Sequence, residues 1–422
     1  MKVLMLTPSY DPIIGGTETV VKNLAINLNK IGVETDVMTF NMDKKWNPIW
    51  KWEVKEEDGF KVYRIPAINP FMKLKLPNAI GFFFKINTIP SPGFWKIIKD
   101  YDILHFHDEV DLTFPLFSYF VRKPKVFHCH TLQNTHSFYK KNILCRTLFT
   151  GCADYFLGSS RSALELILDL GINKRTIAVI PNSVDLSRFQ PIGNGMLEEY
   201  AQRFNLGMKT KKIVCVSRLS PDKLDPVVHA INAMPRIVQR VPDAQLIIVG
   251  GGSCFDRISE LSGRTNKQLD RDAIILSGVL DEDDVPILIN LADVVIGVGQ
   301  VPVEAMAIGK TAIVAGHVVG SFGGNFGGIV TKKNVNALKA HNFSGRNSTE
   351  KTNPDRIAEA TLKLLTDDKY RRSVGEFGKK FVGNERDINK IAKQLEIIYH
   401  DIIKNRRSCL NGSIDSEWQK KT

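Results

Sequence analysis

Short apolar runs alternate with segments of helical periodicity along the chain, starting at its first residues. Residues 2–7 are apolar, and residues 8–16 form a loop that contains Pro, Asp and Gly. Val20, Leu24 and Leu28 then fall on one face of a helix. Because parallel strands joined by helices give this alternation, the pattern predicts an α/β protein assembled from strand–loop–helix units.

The alternation continues through both halves of the chain. Further strands are predicted at residues 33–40, 101–107, 125–132, 153–159, 211–217, 244–252, 273–278, 292–296 and 311–315. Further helices are predicted at residues 162–170, 227–238, 283–290, 353–365, 369–381 and 388–403. Each half therefore contains Rossmann-like β-α-β units.

The most informative turn joins two predicted strands of the second half. Gly297 and Gly299 interrupt an apolar run and let backbone approach a ligand. Pro302 suits the first turn of a helix, and Gly309 is placed to end it. Glu304 is predicted in that first turn, at the carboxyl end of a strand, where open α/β sheets bind ligands. Its carboxylate either accepts two hydroxyl hydrogen bonds, as from a ribose, or serves as a helix-dipole carboxylate.

Length and composition limit the classes of protein. A chain of 422 residues is long enough for two or three domains, and polar residues 193–210 suggest a boundary between 190 and 210. The apolar runs are too short to span a bilayer, and the chain begins directly with a strand, so we expect a cytoplasmic protein. Six cysteines without metal-ligand spacing are expected to be reduced.

The net charge of +12 favours anionic partners. Sugar nucleotides and lipid headgroups rank above nucleic acid, because RNP, zinc-finger and helix-turn-helix signatures are missing. Residues 59–99 contain no acidic residue and mix Lys and Arg with Phe and Trp. This mixture suits an anionic membrane surface, although a core-packed segment with a basic rim has the same composition.

Several polar residues follow predicted strands or turns. Arg218 and Lys223 share one loop after a strand, where a guanidinium fork and an ammonium group suit a diphosphate. Gly15 and Gly16 precede a helix whose amides suit a phosphate or a sugar, although a plain turn has the same sequence. Asn182 belongs to a Pro-Asn turn.

Four histidines lie near the ends of two predicted strands. His105 and His107 end one strand, and His128 and His130 end another. Zinc was considered, but no further ligand set stands out beside them. We therefore expect one or two of these imidazoles to line a sugar pocket, with no metal site.

These motifs, in this order, resemble those of retaining glycosyltransferases of family 4. The matching segments are Gly15-Gly16-Thr-Glu18, Val-Ile-Pro-Asn-Ser-Val-Asp at 179–185 with Phe189 and Pro191, Ser-Arg-Leu-Ser-Pro-Asp-Lys at 217–223, Asp293, and Glu-Ala-Met-Ala-Ile-Gly at 304–309. The resemblance covers nearly the whole chain. It implies the GT-B fold, two facing Rossmann-like domains with a deep interdomain cleft, in which the last helix returns to the first domain.

The resemblance also implies an activity and site roles. The family transfers a sugar from a nucleotide diphosphate sugar to an acceptor hydroxyl, usually without a required metal or other cofactor. Arg218 and Lys223 would neutralise the leaving diphosphate, Glu304 would hold the ribose, and His130 would meet the donor sugar better than His128. Gly15 and Gly16 would lie on the phosphate and acceptor side. Asn182 would belong to the interdomain segment.

The organisation that follows has three parts. Residues 1–190 with a helix at about 388–405 would form the acceptor-side domain, residues 208–387 the UDP- or GDP-sugar domain, and residues 406–422 a disordered tail. The acceptor would be a glycan or a lipid-linked cell-envelope molecule. The protein would then act in the cytoplasm or on the inner face of the membrane through residues 59–99.

The chain departs from the family at one position. The family usually has a glutamate eight positions before the equivalent of Glu304, and Ile296 stands there. Gly297 and Gly299 would still offer backbone contacts to the sugar, and Gln300 would offer a polar one. Two alternatives stay open, a nucleotide-sugar-binding protein without catalysis and a sugar-nucleotide epimerase on the same fold. A dehydrogenase is disfavoured because GxGxxG is missing.

Overall fold

A computed structural model describes residues 1–13, 15–41, 49, 51–66, 92–107, 119–130, 136–173, 176–204, 206–207, 210–316 and 324–410. The chain divides into two compact units. Unit 1 contains Met1–Pro181 and the chain from Ile388 onwards, and unit 2 contains Asn182–Asp387. The division lies at Pro181, whereas the sequence analysis extended the first domain to residue 190.

Unit 1 is organised around one sheet. Its described strands are β1 (Lys2–Thr7), β2 (Glu34–Asn41), β3 (Glu53–Glu57), β4 (Phe60–Pro66), β5 (Ile103–His107), β6 (Lys125–Cys129), β7 (Tyr155–Gly158) and β8 (Ile177–Val179). They follow the order β3-β4-β2-β1-β5-β6-β7-β8, in which β3 is antiparallel to β4 and the other pairs are parallel. The order reverses between β1 and β5, which is the topological switch point of an open α/β sheet.

Helices of unit 1 pack on this sheet. Those within the described residues are α1 (Gly16–Lys30), α2 (Pro92–Lys99), α3 (His136–Lys141), α4 (Ile143–Thr150), α5 (Arg161–Asp169) and α14 (Ile388–Leu410). Val20, Leu24 and Leu28 of α1 are buried in one cluster with Leu395 and Tyr399 of α14. The predicted return of the last helix to the first half of the chain is therefore observed as packing within unit 1.

Unit 2 repeats the Rossmann-like strand order. Its described strands are β9 (Lys212–Val216), β10 (Gln245–Val249), β11 (Ile274–Gly278), β12 (Val294–Gly297), β13 (Thr311–Ala315) and β14 (Phe326–Ile329). The order is β11-β10-β9-β12-β13-β14, and only β14 is antiparallel to its neighbour among these strands. The switch point lies between β9 and β12.

Eight described helices belong to unit 2. They are α6 (Asn194–Arg203), α7 (Asp225–Arg240), α8 (Phe255–Leu269), α9 (Asp284–Leu291), α10 (Gln300–Ile308), α11 (Val335–Ala340), α12 (Pro354–Thr366) and α13 (Asp368–Glu385). Helices α7 and α12 pack together beside the sheet through residues such as Ile231 and Ile357. The apolar periodicity that predicted these helices corresponds to their buried faces.

Several elements of the fold were not predicted from the sequence. The hairpin of β3 and β4 lies in a region of irregular apolar spacing, and α6 lies in the polar stretch taken for a boundary. Helix α8 was also not predicted; its buried residues are few and include the polar Ser262 and Thr265. The final helix continues to Leu410, past the predicted end at 405, and residues 411–422 of the predicted tail lie outside the described residues.

The basic and aromatic segment 59–99 is described only at its ends. Phe60 and Phe94 are buried in the core, so for these rings the core-packed interpretation is correct. Arg64 is 4 % exposed, and its Nη1 lies 2.7 Å from Glu57 Oε1. Residues 67–91 lie outside the described residues. No described helix is both long and apolar enough to cross a membrane.

Candidate functional site

Two of the predicted site segments meet at the switch point of unit 2. Strands β9 and β12 are neighbours, with Ile296 opposite Cys215. Parallel strands end at the same edge of a sheet, so the loop that carries Arg218 and the turn that carries Gly299 leave from adjacent positions. Ligands bind at this edge in open α/β sheets. The topology therefore brings the two predicted segments of unit 2 together.

The Arg218 loop presents its cation to solvent. The Arg218 side chain is 45 % exposed, and its Nη2 lies 3.5 Å from Asp222 Oδ2. Its Nε donates a hydrogen bond of 3.2 Å to Ser220 Oγ, and Ser220 Oγ donates one of 2.6 Å to Asp222 Oδ1. An exposed ion pair of this kind contributes about 1 kcal/mol or less, so an incoming anion can replace it at low cost. The Lys223 amide donates to Ser220 O at 2.9 Å, which folds the loop on itself.

Glycines after β10 hold the Arg218 loop in place. Gly250 and Gly252 have φ angles of +136° and +145°, which L side chains rarely adopt. A Cβ at Gly250 would lie 2.0 Å from Ser217 O, and one at Gly252 would lie 2.4 Å from Leu219 O. The Leu219 amide donates to Gly251 O at 2.8 Å. The glycines therefore fix the path of the loop, a role that the sequence analysis did not assign.

Helix α10 begins earlier than predicted. It starts at Gln300, so Glu304 is its fifth residue and not a first-turn residue. Gly299 precedes it with a φ of +65° and without a side-chain cap, and Gly309 ends it with a φ of +90°. The first amides of α10 therefore lack a side-chain acceptor from the preceding residue. Pro302 occupies the third position, where its missing N–H removes no hydrogen bond of the helix.

Glu304 is partly buried, and its carboxyl group is difficult to ionise. Desolvation raises the pKa of Glu304 to about 7, and the nearby positive charge of Arg188 lowers it only in part. A carboxylate that is stabilised by too few protein donors is ready to accept hydrogen bonds from a ligand. This property suits a group that binds hydroxyls better than it suits a helix-dipole carboxylate, because α10 has no acidic residue in its first turn.

Gln300 and Asn182 face backbone of unit 2. Gln300 Nε2 donates to Ser183 O at 2.7 Å, and Arg386 Nη1 donates to Asn182 O at 3.1 Å. Gln300 Oε1 and Asn182 Oδ1 are buried, and neither has a hydrogen-bond partner among the described residues. The amide nitrogen of Gln300 is therefore committed to the protein.

Ile296 does not occupy a loop position. It is the third residue of β12, is 1 % exposed and pairs with Ile313 of β13. Only Val298 and Gly299 separate β12 from α10. A glutamate at position 296 would be buried in the sheet, so the turn is too short to place a carboxylate where the family motif has one. The polar groups offered by this turn are therefore backbone amides.

The switch point of unit 1 carries the predicted glycines. Gly15 precedes α1, and a Cβ at Gly15 would lie 2.3 Å from Glu18 Oε2. Glu18 Oε1 accepts a short hydrogen bond from Ser9 Oγ. Apart from its chain neighbours and the backbone of its own helix, no described atom lies within 4 Å of a Cβ built at Gly16. A side chain at position 15 would therefore displace the Glu18 carboxylate, whereas one at position 16 would meet no described neighbour outside its own segment.

The four predicted histidines lie together at the ends of β5 and β6. His105, His107 and His128 are at most 1 % exposed, and burial holds the pKa of each well below 6.5. His107 Nδ1 lies 3.3 Å from His130 Nε2. His130 is only partly buried. His130 is therefore the most exposed of the four imidazoles, and the other three are buried neutral rings.

Two further residues complete the histidine cluster. Tyr399 Oη lies 2.6 Å from His105 Nδ1, and His128 Nε2 lies 3.0 Å from Ile180 O. Neither partner was predicted, because Tyr399 is 294 positions from His105 in the chain. The apolar periodicity of the last helix predicted its buried face but not this contact. The five cysteines that the structure describes carry free thiols, as predicted.

Comparison with known proteins agrees with these features. Residues 14–188 match the model of Glycosyltransferase Family 4, and residues 197–381 match that of Glycosyl transferases group 1. The uncharacterized glycosyltransferase MJ1607 of Methanocaldococcus jannaschii is 26 % identical over 94 % of this chain and 98 % of its own length. A Mycobacterium tuberculosis enzyme, GDP-mannose-dependent alpha-(1-6)-phosphatidylinositol monomannoside mannosyltransferase, is 30 % identical over 49 % of this chain and 51 % of its length.

A solved structure extends the likeness to the fold. The crystal structure of Anabaena Alr3699/HepE in complex with UDP has a TM-score of 0.67 at 18 % identity, over 95 % of this chain and 100 % of that one. The family models lie one in each half of the chain, and together they span residues 14–381 apart from a short gap. The chain belongs to glycosyltransferase family 4 and is a glycosyltransferase with the GT-B fold.

Proposed function

We propose that the protein is a retaining glycosyltransferase that moves a sugar from a nucleotide diphosphate sugar to an acceptor hydroxyl. The observation that carries this proposal is the arrangement at the switch point of unit 2. There the Arg218 loop and the turn before α10 leave from neighbouring strands. One segment supplies cations, and the other supplies helix amides and the carboxyl group of Glu304.

In this proposal unit 2 holds the nucleotide diphosphate. Arg218 and Lys223 neutralise the charge that develops on the leaving diphosphate, which is commonly the largest catalytic contribution. The first amides of α10 bind phosphate or sugar oxygens, since a helix N-terminus attracts anions. Glu304 accepts the hydrogen bonds of the ribose hydroxyls. Because the cations perform the electrostatic work, we expect no metal or other cofactor to be required for transfer.

Each unit supplies further contacts in this proposal. His130 contacts the donor sugar, with His107 behind it at 3.3 Å. The open space at Gly16 admits a phosphate or the acceptor at the N-terminus of α1. Asn182 Oδ1 and Gln300 Oε1 in unit 2 are buried acceptors that suit donor-sugar hydroxyls.

The named relatives support a nucleotide sugar as donor. The Anabaena structure is a complex with UDP, and the mycobacterial enzyme is GDP-mannose-dependent. We therefore propose UDP- or GDP-sugar as donor here. Incubation of the purified protein with UDP-, GDP- and ADP-sugars and simple alcohol or glycan acceptors tests this. We expect one donor to be consumed and the product to keep the donor's anomeric configuration by NMR.

Other outcomes would favour the alternatives. Tight nucleotide binding without donor hydrolysis or transfer would indicate a binding protein without catalysis. Release of a C2 epimer of the sugar would indicate an epimerase. An inverted anomeric configuration would contradict the retaining mechanism while leaving the donor assignment intact.

We further propose a lipid-linked or cell-envelope acceptor at the inner face of the membrane. The mycobacterial relative acts on a phosphatidylinositol mannoside, and residues 59–99 lack acidic side chains. Each Lys or Arg near an anionic surface contributes about 1 kcal/mol. Anionic vesicles should therefore sediment the protein at low salt and release it at high salt. Equal sedimentation with neutral vesicles would contradict an electrostatic attachment.

A further inference from the structure

We propose that His105, His107 and His128 form a metal site in unit 1 for a late first-row dication such as Zn²⁺. One ring nitrogen from each histidine lies within 4.8 Å of one from each of the others. The three rings come from the ends of two neighbouring parallel strands, with His107 opposite His128 in the register. Imidazole nitrogen is a preferred ligand of Zn²⁺, Cu²⁺ and Ni²⁺, and a set of three histidines occurs in zinc sites.

Each of the three histidines has one unpaired ring nitrogen, which supports this site. His105 Nε2, His107 Nε2 and His128 Nδ1 are buried and have no hydrogen-bond partner in the part of the chain that the structure describes. A buried polar atom without a partner is energetically unfavourable. Three such atoms in one cluster make an unfavourable arrangement, and a single bound ion would satisfy all three.

The second ring nitrogen of His128 also supports the site, because it has a protein partner. His128 Nε2 faces Ile180 O, and a carbonyl can only accept, so His128 carries its proton on Nε2 and presents a lone pair at Nδ1. Histidine ligands usually donate their other N–H to an oxygen acceptor or similar group, which fixes the ring. His128 therefore already has the tautomer and the support of a metal ligand.

The other two histidines can adopt matching tautomers, in which the buried Tyr399 hydroxyl must donate to an acceptor other than His105 Nδ1. With lone pairs at Nε2, His105 donates from Nδ1 to Tyr399 Oη at 2.6 Å, and His107 donates from Nδ1 to His130 Nε2 at 3.3 Å. A phenol oxygen and an imidazole nitrogen can both accept. Each imidazole N–H then has an acceptor, and one lone pair of each ring is left for an ion. A solvent molecule would complete a tetrahedral set.

The site would have a consequence for His130. If His107 donates to His130 Nε2, the neutral His130 must carry its proton on Nδ1. The ion would thus fix the tautomer of the histidine that we assign to the donor sugar. Its role would be to position His130 and to stabilise unit 1, and the transfer step itself would not pass through it.

Metal analysis of the full chain tests the proposal. Protein purified without chelators should contain about one Zn²⁺ per chain by mass spectrometry, and adding Zn²⁺ to stripped protein should raise its Tm. In His105→Gln and His128→Gln the metal content should fall at least about tenfold, whereas His400→Gln, an exposed histidine of α14, should keep it. Co²⁺ bound in place of Zn²⁺ should show the visible bands of a tetrahedral site.

Two results would overturn the site. One is stripped wild-type protein that binds no more Zn²⁺ or Co²⁺ than His105→Gln in competition with a colorimetric chelator. The other is equal loss of metal from His400→Gln. If the glutamine variants do not fold, as judged by circular dichroism, titration of the stripped wild type with Zn²⁺ decides the question alone. Neither result depends on donor turnover, so failure of this site and failure of the proposed function are distinguishable.

Discussion

The two sheets share a strand order but carry opposite chemistry at their switch points. In unit 2 the edge presents an exposed cation, Arg218, next to a helix that carries the poorly ionised Glu304. In unit 1 the corresponding edge holds three buried neutral imidazoles behind the partly buried His130. Charged groups at an exposed edge can be matched by a ligand with little desolvation, whereas buried groups remain neutral unless an ion or partner reaches them. Similar topology therefore supports an anion-binding edge in one unit and a supporting polar core in the other.

Removal of the exposed cation should have the largest effect on activity. Arg218→Ala should lower kcat/KM by about 10²–10³-fold, because it removes a charge that faces the developing diphosphate charge. Initial rates with the preferred donor measure this, and Arg240→Ala, an exposed arginine at the end of α7, is the matched control. Equal loss in both variants would attribute the effect to net charge and would remove the distinction between the two edges.

The second-largest effect is expected from a change in the packing of the loop that carries Arg218. Gly250→Ala should destabilise unit 2 by about 2–3 kcal/mol, because its φ is unfavourable and the new Cβ would lie 2.0 Å from Ser217 O. Gly263→Ala in α8, where a Cβ meets nothing within 4 Å, should instead stabilise by about 0.5–1 kcal/mol. Thermal unfolding compares the two. A neutral Gly250→Ala would show that the Arg218 loop is not held by this contact.

Glu304→Gln should separate binding from stability. The folded-state pKa of about 7 exceeds the ordinary 4.5, so between these values the folded protein keeps a proton that the unfolded chain has lost. Stability is therefore lost as pH rises through this range, and the loss is complete above pH 7. The glutamine variant should equal wild type at pH 4.5 and exceed its Tm at pH 8 by roughly 3–6 °C.

Nucleotide affinity should increase as pH rises, whereas the stability of the folded protein decreases. Wild-type affinity for the nucleotide diphosphate should rise between about pH 6 and 8 as the Glu304 carboxylate forms, beyond the rise seen in the variant. Calorimetry of wild type and Glu304→Gln measures the difference, which also cancels titration of the ligand's phosphates. A variant with unchanged affinity at pH 8 would leave Glu304 as a structural carboxylate.

The histidine of unit 1 should have the smallest effect. His130→Ala should lower kcat/KM by about 10–30-fold, as expected for loss of one or two hydrogen bonds to a sugar. His400→Ala serves as control. If His130→Ala matched the loss of Arg218→Ala, catalysis would depend on both edges alike, and the contrast between charged and neutral edges would not extend to function.

Much of the fold could be predicted because its signals are local. Strands such as β1 and β13 are continuous apolar runs bounded by turn residues, and each is buried as predicted. Elements without such a signal were missed. The hairpin of β3 and β4 has an exposed outer strand, and α6 buries only Ala201 among its residues. Neither gives a clear apolar period.

Motif order was enough to propose the site residues, but it did not give their geometry. Motif order identified Arg218, Glu304 and His130 as site residues of a family 4 glycosyltransferase, and their roles stay predictions. The start of α10 at Gln300 was not predicted, because Pro302 fits a helix at its first position and at its third. The position of Ile296 inside β12 was also not predicted. The number of residues between position 296 and Glu304 does not reveal where the strand ends and the turn begins.

By itself the sequence determined the alternating α/β architecture and the family, because these follow from periodicity and from the order of short motifs, and the same motifs supplied the residues that we propose for its chemistry. Only the tertiary structure decided which of those groups are charged and accessible. The contact of Tyr399 with His105 joins residues 294 positions apart, and the pKa of Glu304 depends on what surrounds it. Burial and pairing are set by segments distant in the chain, so no local pattern can encode them.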